Sequence, residues 1–143
     1  MGNAMKKIVA AIFSACAVTA HGAEIKLKIE GCVPGEQVRV ALYASAEGFA
    51  GDRDGRYALR KQALKAQDDT LYLSFDDLAP GKYAVAAFVD SNGNHTLDRN
   101  WVGKPTERYG FSRDARNLFG PPGFEQAAFE VGVNSALQTL HLK

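Results

Sequence analysis

Alternation constrains this chain more than any other feature. Ile25, Leu27 and Ile29 are separated by Lys26 and Lys28, Val38, Val40 and Leu42 by Arg39 and Ala41, and Leu71, Leu73 and Phe75 by Tyr72 and Ser74. An apolar residue at every second position is the period of a strand with one buried face. No stretch offers a persuasive long amphipathic helix, so the chain is committed to sheets. Tyr83 to Val89 adds a strand of another kind: Tyr83, Val85, Ala87 and Val89 share one face and Ala84, Ala86 and Phe88 the other. Neither face is polar enough to be fully solvated, which marks a central strand.

Turn signals fall between these runs. Val33-Pro34-Gly35, Asp68-Asp69 and Asp77-Leu78-Ala79-Pro80-Gly81 combine the fixed φ of proline with the conformational freedom of glycine and the local hydrogen bonding of Asp. The short link between Leu71–Phe75 and Tyr83–Val89 predicts an antiparallel hairpin, since parallel neighbours need a crossover of about a dozen residues. Gln126 to Val133 and Ala136 to Leu142, divided by Asn134-Ser135, predict a closing hairpin. Residues 45–56 read as a surface loop anchored by Phe49, with Asp52 and Asp54 as turn residues or aids to a cation, and 57–65 as a short helix or an irregular strand. About seven short strands give an all-β fold, an antiparallel β-sandwich of immunoglobulin-like or prealbumin-like type with one long ordered loop.

The first twenty residues stand apart. Lys6-Lys7, the apolar run Ile8 to Ala17 and small residues allowing cleavage after Ala20 make a secretory signal peptide over residues 1–20. Met5 is an alternative native start, with residues 1–4 then a vector-derived remnant. The run is shorter than the roughly 20 apolar residues of a spanning helix, so no transmembrane span is expected. Phe13-Ser14-Ala15-Cys16 approximates a lipobox, and a lipid anchor at Cys16 in an outer-membrane lipoprotein is the alternative route. Ordinary cleavage leaves Cys32 as the sole cysteine of a single domain over 21–143, with no internal disulfide and a place as a small hydrophobe near a strand end. With a net charge of +1 the chain is no polycation, and no nucleic-acid partner is expected.

After Val89 the composition changes to DSNGNHTLDRN. Oxygen-bearing side chains recur at Asp90, Asn92, Asn94, Thr96, Asp98 and Asn100, a spacing that can wrap calcium, which takes six to eight oxygen ligands; Asp90, Asn92, Asn94, Thr96 and Asp98 are the candidate calcium ligands. His95 stands where an EF-hand needs its turning Gly, and Trp101 where it needs its bidentate Glu, so the loop is not an EF-hand. The competing reading is a tight Asn92-Gly93 turn whose Asx side chains bond their own backbone.

Residues 101–124, WVGKPTERYGFSRDARNLFGPPGF, show neither strand nor helix period, and connections this long in a compact domain are often functional. Trp101, Tyr109, Phe111, Phe119 and Phe124 predict a lid anchored over one end of the sandwich. Trp101, Glu107, Arg108 and Tyr109 are the candidate ligand-binding residues, and Lys104, Arg113 and Arg116 add further positive charge. The competing account has the aromatics seal the fold with arginines stacked over them. Asp90, Asp98 and Glu107 could supply an acid and a base, with His95 titrating near neutrality. No G-x-S-x-G, H-E-x-x-H or C-x-x-C motif accompanies them, His21 and His141 make no zinc spacing with His95, and no catalytic residue is assigned.

The ordered pattern P-G-x-Y-A, D-x-N-G-N-x-x-L-D-x-N, G-x-P-x-E-x-Y-G-F-S and F-G-P-P-x-F-E-x-A resembles the signature of small exported bacterial proteins of domain-of-unknown-function family 2141 (DUF2141). That resemblance implies a periplasmic or cell-surface β-sandwich and carries over no catalytic residue. The P-G-x-Y strand is also similar to strands of prealbumin-like accessory modules such as carboxypeptidase regulatory domains. The expectation is an exported non-catalytic binding module for an envelope or extracellular ligand, with calcium the one cofactor in view. The alternatives are a small periplasmic hydrolase using the loop carboxylates and a purely structural envelope protein.

Overall fold

The computed structural model describes residues 22–143. The stretch expected to be a signal peptide, residues 1–20 with Cys16, and His21 lie outside the described residues. Among the described residues eight strands form two sheets: β1 (Ala23–Glu30), β2 (Gln37–Tyr43), β3 (Arg60–Lys65), β4 (Thr70–Leu78), β5 (Gly81–Val89), β6 (Tyr109–Phe111), β7 (Phe129–Val131) and β8 (Ala136–His141). The first sheet has the order β4-β1-β8. The second runs β3-β2-β5-β6, with β7 also pairing β5. The expected β-sandwich is present, and the ambiguous 57–65 stretch supplies strand β3.

The alternating residues fill the space between the sheets. Ile25, Leu27, Ile29, Phe75 and Leu140 from the first sheet meet Val38, Val40, Leu42, Val85 and Val131 from the second in one buried cluster. Each such side chain contributes about 1.5–3 kcal/mol relative to leaving it exposed. Cys32, just beyond β1, is part of this core, as expected of a small hydrophobe.

Both predicted hairpins are absent. β4 pairs β1 and β5 pairs β2, so the chain crosses from one sheet to the other at Ala79-Pro80. A two-residue hairpin needs positive φ at its first or both central residues, which proline forbids and alanine resists. The register of β4 against β1 shifts near Ala23, and Asp77 takes φ of 55°, an irregularity that bends the strand before the crossing. At the other end β7 joins β5 while β8 lies parallel to β1. That parallel pair is possible because almost the whole domain lies between the two strands.

The nine-residue β5 is the hub. One edge pairs β2, and the other is shared, Gly81–Tyr83 going to β7 and Ala86–Phe88 to β6. Ser112, fully buried, serves the gap between them: its Oγ accepts the Val85 N–H at 2.9 Å and donates to the Ala127 carbonyl at 2.6 Å. Residues 101–124 are therefore not periodless. They contain β6, a 3₁₀ turn at Ser112–Asp114 and the start of a single helical turn, α1 (Phe124–Ala127). β6 reaches the first sheet through Tyr109 and Lys143, which exchange backbone hydrogen bonds of 3.1 and 3.0 Å. Gly110 has no room for a side chain there, because a Cβ would lie 2.4 Å from the His141 carbonyl.

Candidate functional site

The 90–100 loop is built from its own polar side chains. Asn92 Oδ1 accepts the Asn94 N–H and Asn94 Oδ1 accepts that of Thr96, at 3.2 and 3.0 Å, giving two successive Asx turns. The Asn92 and Asn94 amides both donate to Asp98, at 2.6 and 2.7 Å. Gly93 and His95 take the positive φ values this path requires, 72° and 65°. Asp90 is buried and holds the loop from below: its Oδ2 accepts Arg39 Nε at 2.6 Å and the His95 N–H at 3.0 Å, while Oδ1 has no partner. Burial pushes the Asp90 carboxyl up, but the Arg39 and His95 hydrogen bonds outweigh it and hold the group below the usual carboxylate range.

Glu107, also buried, closes the loop from above. One carboxylate oxygen accepts the Ser91 N–H and hydroxyl, both at 3.1 Å, and the other accepts the Asp98 N–H at 3.1 Å. Among the described residues no group of three His, Cys, Asp or Glu side chains is arranged to hold a metal.

The residues expected to form an aromatic and cationic ligand surface do not converge. Trp101 is 96% exposed at the tip of a tight turn closed by the Arg99–Pro105 bridge, and Phe119 is 91% exposed, so neither anchors a lid. Phe124 is buried and Phe111 half-buried. The Arg108 guanidinium is engaged by Glu36 and the Gly31 carbonyl. Of the four candidates, Tyr109 lines the cavity on the outer face of the second sheet, with Arg116 stacked 5.1 Å from its ring centroid.

That cavity, about 300 Å³, lies on the outer face of the second sheet. The strand registers define its floor: Lys61, Ala41, Ala86 and Phe111 form one cross-strand row, and Ala63, Arg39, Phe88 and Tyr109 the next. Alanines at the centre of the first row leave a depression between the lysine stem and the aromatic ring. Residues 44–59 wall one side. Phe49 packs edge-on against Tyr43, Phe111 and Phe124, with centroids 5.0 to 5.8 Å apart. Tyr43 donates to Asp52 at 2.9 Å, and burial, then Asp52, pushes its phenol well above the usual range, so it stays a donor. Asp52 also accepts the Arg56 and Tyr57 N–H groups, the turn role anticipated for it. His95, Leu97 and Arg99 of the 90–100 loop wall the other side. The two walls meet where the Leu97 N–H donates to the Arg53 carbonyl at 2.9 Å.

Sequence reasoning placed the site on loops and missed this floor. The available signal was the second face of β2 and β5, where Ala41, Ala84, Ala86 and Phe88 stand in place of the polar residues of a solvated face.

A family model described as an uncharacterized protein conserved in bacteria, DUF2141, matches residues 28–138. No curated protein and no solved structure matches the chain.

Proposed function

The chain belongs to the DUF2141 family, and from that premise we propose that it is an exported, non-catalytic binding module of the cell envelope whose ligand occupies the groove on the outer sheet face. The observation that carries this reading is the alanine floor at Ala41 and Ala86, which opens a cavity of about 300 Å³ between aromatic edges. Ligand pockets run from roughly 300 to 1,000 Å³ with mostly apolar linings, so the groove suits a small molecule with an apolar body. Export rests on the leader-like residues 1–20. Among the described residues no helix is long and apolar enough to cross a membrane.

Binding is favoured over hydrolysis because the carboxylates are committed. Asp90 is paired with Arg39, Asp98 accepts two amides, and Glu107 accepts three hydrogen bonds within the loop. Cys32 lies in the core, where burial raises the pKa of its thiol.

The test uses N-phenyl-1-naphthylamine, a neutral fluorophore that brightens in apolar surroundings. Its emission should rise on titration with the protein, and Ala86→Leu should abolish the rise by filling the depression without altering the thermal midpoint greatly. An unchanged titration in a folded Ala86→Leu variant refutes the groove as the ligand site.

A second reading has the 90–98 loop bind calcium through Asp90, Asn92, Asn94, Thr96 and Asp98. The free Oδ1 of Asp90 and the positive φ of His95, at the sixth position where calcium loops turn, favour it. Ligation would require the Asn92 and Asn94 amides to exchange their present hydrogen bonds for oxygen contacts with the ion. With Asp90 already neutralised by Arg39, the affinity expected is weak, a Kd of about 10⁻⁴ to 10⁻³ M.

A further inference from the structure

We propose that the groove selects a small amphipathic monoanion, an aliphatic or aryl carboxylate or sulfonate, and that Arg99 holds its charged head. The inference rests on the groove reading above and adds the chemical class of its ligand.

The charges around the groove do not balance. Arg39, Arg53, Lys61 and Arg99 line it, against Asp52 and Asp54. Each anion is already engaged: Asp52 takes the Tyr43 hydroxyl and two backbone N–H groups, and Asp54 takes the Arg56 N–H at 3.2 Å and lies 3.9 Å from its guanidinium. Of the cations, Arg39 is neutralised by Asp90 at 2.6 Å. Arg53, Lys61 and Arg99 have no carboxylate partner among the described residues. The groove therefore presents uncompensated positive charge beside an apolar floor, while the chain as a whole is nearly neutral. That charge is local, and it complements a ligand with one anionic end and one apolar end.

Arg99 is the residue best prepared to use it. Its Nη1 donates to the Gly103 carbonyl at 3.2 Å, which fixes the guanidinium, and its Nε–H is buried with no acceptor. A buried donor without a partner is costly and rare in a folded protein. Nη2 makes no hydrogen bond among the described residues either. Nε and Nη2 share one edge of the guanidinium, and that edge is the fork that grips a carboxylate or sulfonate through two parallel bonds. The head group would satisfy the orphaned donor, and the body would lie toward Ala41 and Ala86. A ligand lacking the anion leaves Nε unpaired, so discrimination comes from the protein's own unmet hydrogen bond as much as from Coulomb attraction.

A matched pair of probes tests the idea. 8-Anilinonaphthalene-1-sulfonate is N-phenyl-1-naphthylamine with a sulfonate added, so the ratio of their affinities isolates the contribution of the anion. The sulfonate should bind the wild-type chain about tenfold or more tightly than the neutral compound, as charge-assisted hydrogen bonds imply. Arg99→Gln should remove most of that advantage, lowering the sulfonate's affinity far more than the neutral probe's, with the thermal midpoint near wild type. Octanoate should displace the bound sulfonate, and octanol at the same concentration should displace it far less. If neither probe binds, the groove reading itself falls. Equal binding of the two probes leaves the groove standing and overturns the anion inference. A sulfonate preference that survives Arg99→Gln and disappears in Arg53→Gln or Lys61→Gln overturns the assignment to Arg99.

Discussion

Replacing Glu107 with alanine should loosen the 90–100 loop without disturbing the sandwich beneath it. The carboxylate accepts three hydrogen bonds, two from Ser91 and one from Asp98, and Glu107 itself is only 8% exposed. Hydrogen bonds to a charged acceptor contribute about 1.5–3 kcal/mol each where water is excluded. Ser91 is exposed and Asp98 half-exposed, so water would recover part of the loss, and about 2–4 kcal/mol in total is the expected cost. For a domain of this size that corresponds to a fall of about 10 °C in thermal midpoint. Glu107→Gln keeps one oxygen for Ser91 and turns an amide donor toward the Asp98 N–H, so it should lose roughly half as much. Hydrogen exchange locates the effect: the Ser91 and Asp98 amides should lose protection in Glu107→Ala while Val85 and Val40 keep theirs. A midpoint shift below that of Glu107→Gln, or unchanged exchange at Ser91 and Asp98, would refute the claim that this carboxylate closes the loop.

The calcium reading predicts a rise in thermal midpoint between chelator and about 5 mM calcium, a level above the expected Kd. Asp90→Ala should abolish the rise, and an identical midpoint in both buffers for the wild type would sink the reading. His141 supplies a pH dependence of its own. Its Nδ1 lies 2.8 Å from Asp114 and its Nε2 2.7 Å from Glu30, and the Asp114 hydrogen bond, aided by Glu30, raises its pKa above 6.5. A pKa raised on folding adds stability that is complete below 6.5 and is lost as the pH climbs through the higher folded-state value. Urea midpoints of wild type and His141→Gln should therefore converge between about pH 5.5 and about pH 9, and a constant gap across that range would contradict the pairing.

The strands were legible because burial and alternation are the same signal. Ile25, Leu27 and Ile29 announce one face of β1, and the structure buries that face. Pairing was less legible, since period says which face is covered and nothing about which edge is joined. Proximity in sequence suggested a β4–β5 hairpin, yet Pro80 in the link already argued against it on φ alone. The loop at Asp90 was readable from its Asx spacing, and the Asx turns are there. Trp101 and Phe119 depart from expectation because aromatic content alone does not imply burial: both rings stand exposed on the loop. The groove was hidden by its construction. Its floor is made of alanines, which mark no chemistry, and Arg39, Lys61 and Arg99 come together only through strand register and loop closure.

Loop and groove are one mechanical unit, which explains why the polar loop is so heavily bonded. Asp90 anchors His95 from below and Glu107 holds Asp98 from above, so the residues between them, Leu97 included, have little freedom. Leu97 is buried and passes that rigidity to the opposite wall through its N–H bond to Arg53. Arg99 follows directly, steadied by Gly103. A binding wall made of a free loop would lose conformational entropy on closing over a ligand, of the order of 1–2 kcal/mol for each residue ordered. Here the loop's own hydrogen bonds impose that ordering during folding, so on the proposed groove reading binding would carry little of that cost. Weakening Glu107 should therefore lower the affinity of the groove even though Glu107 does not line it.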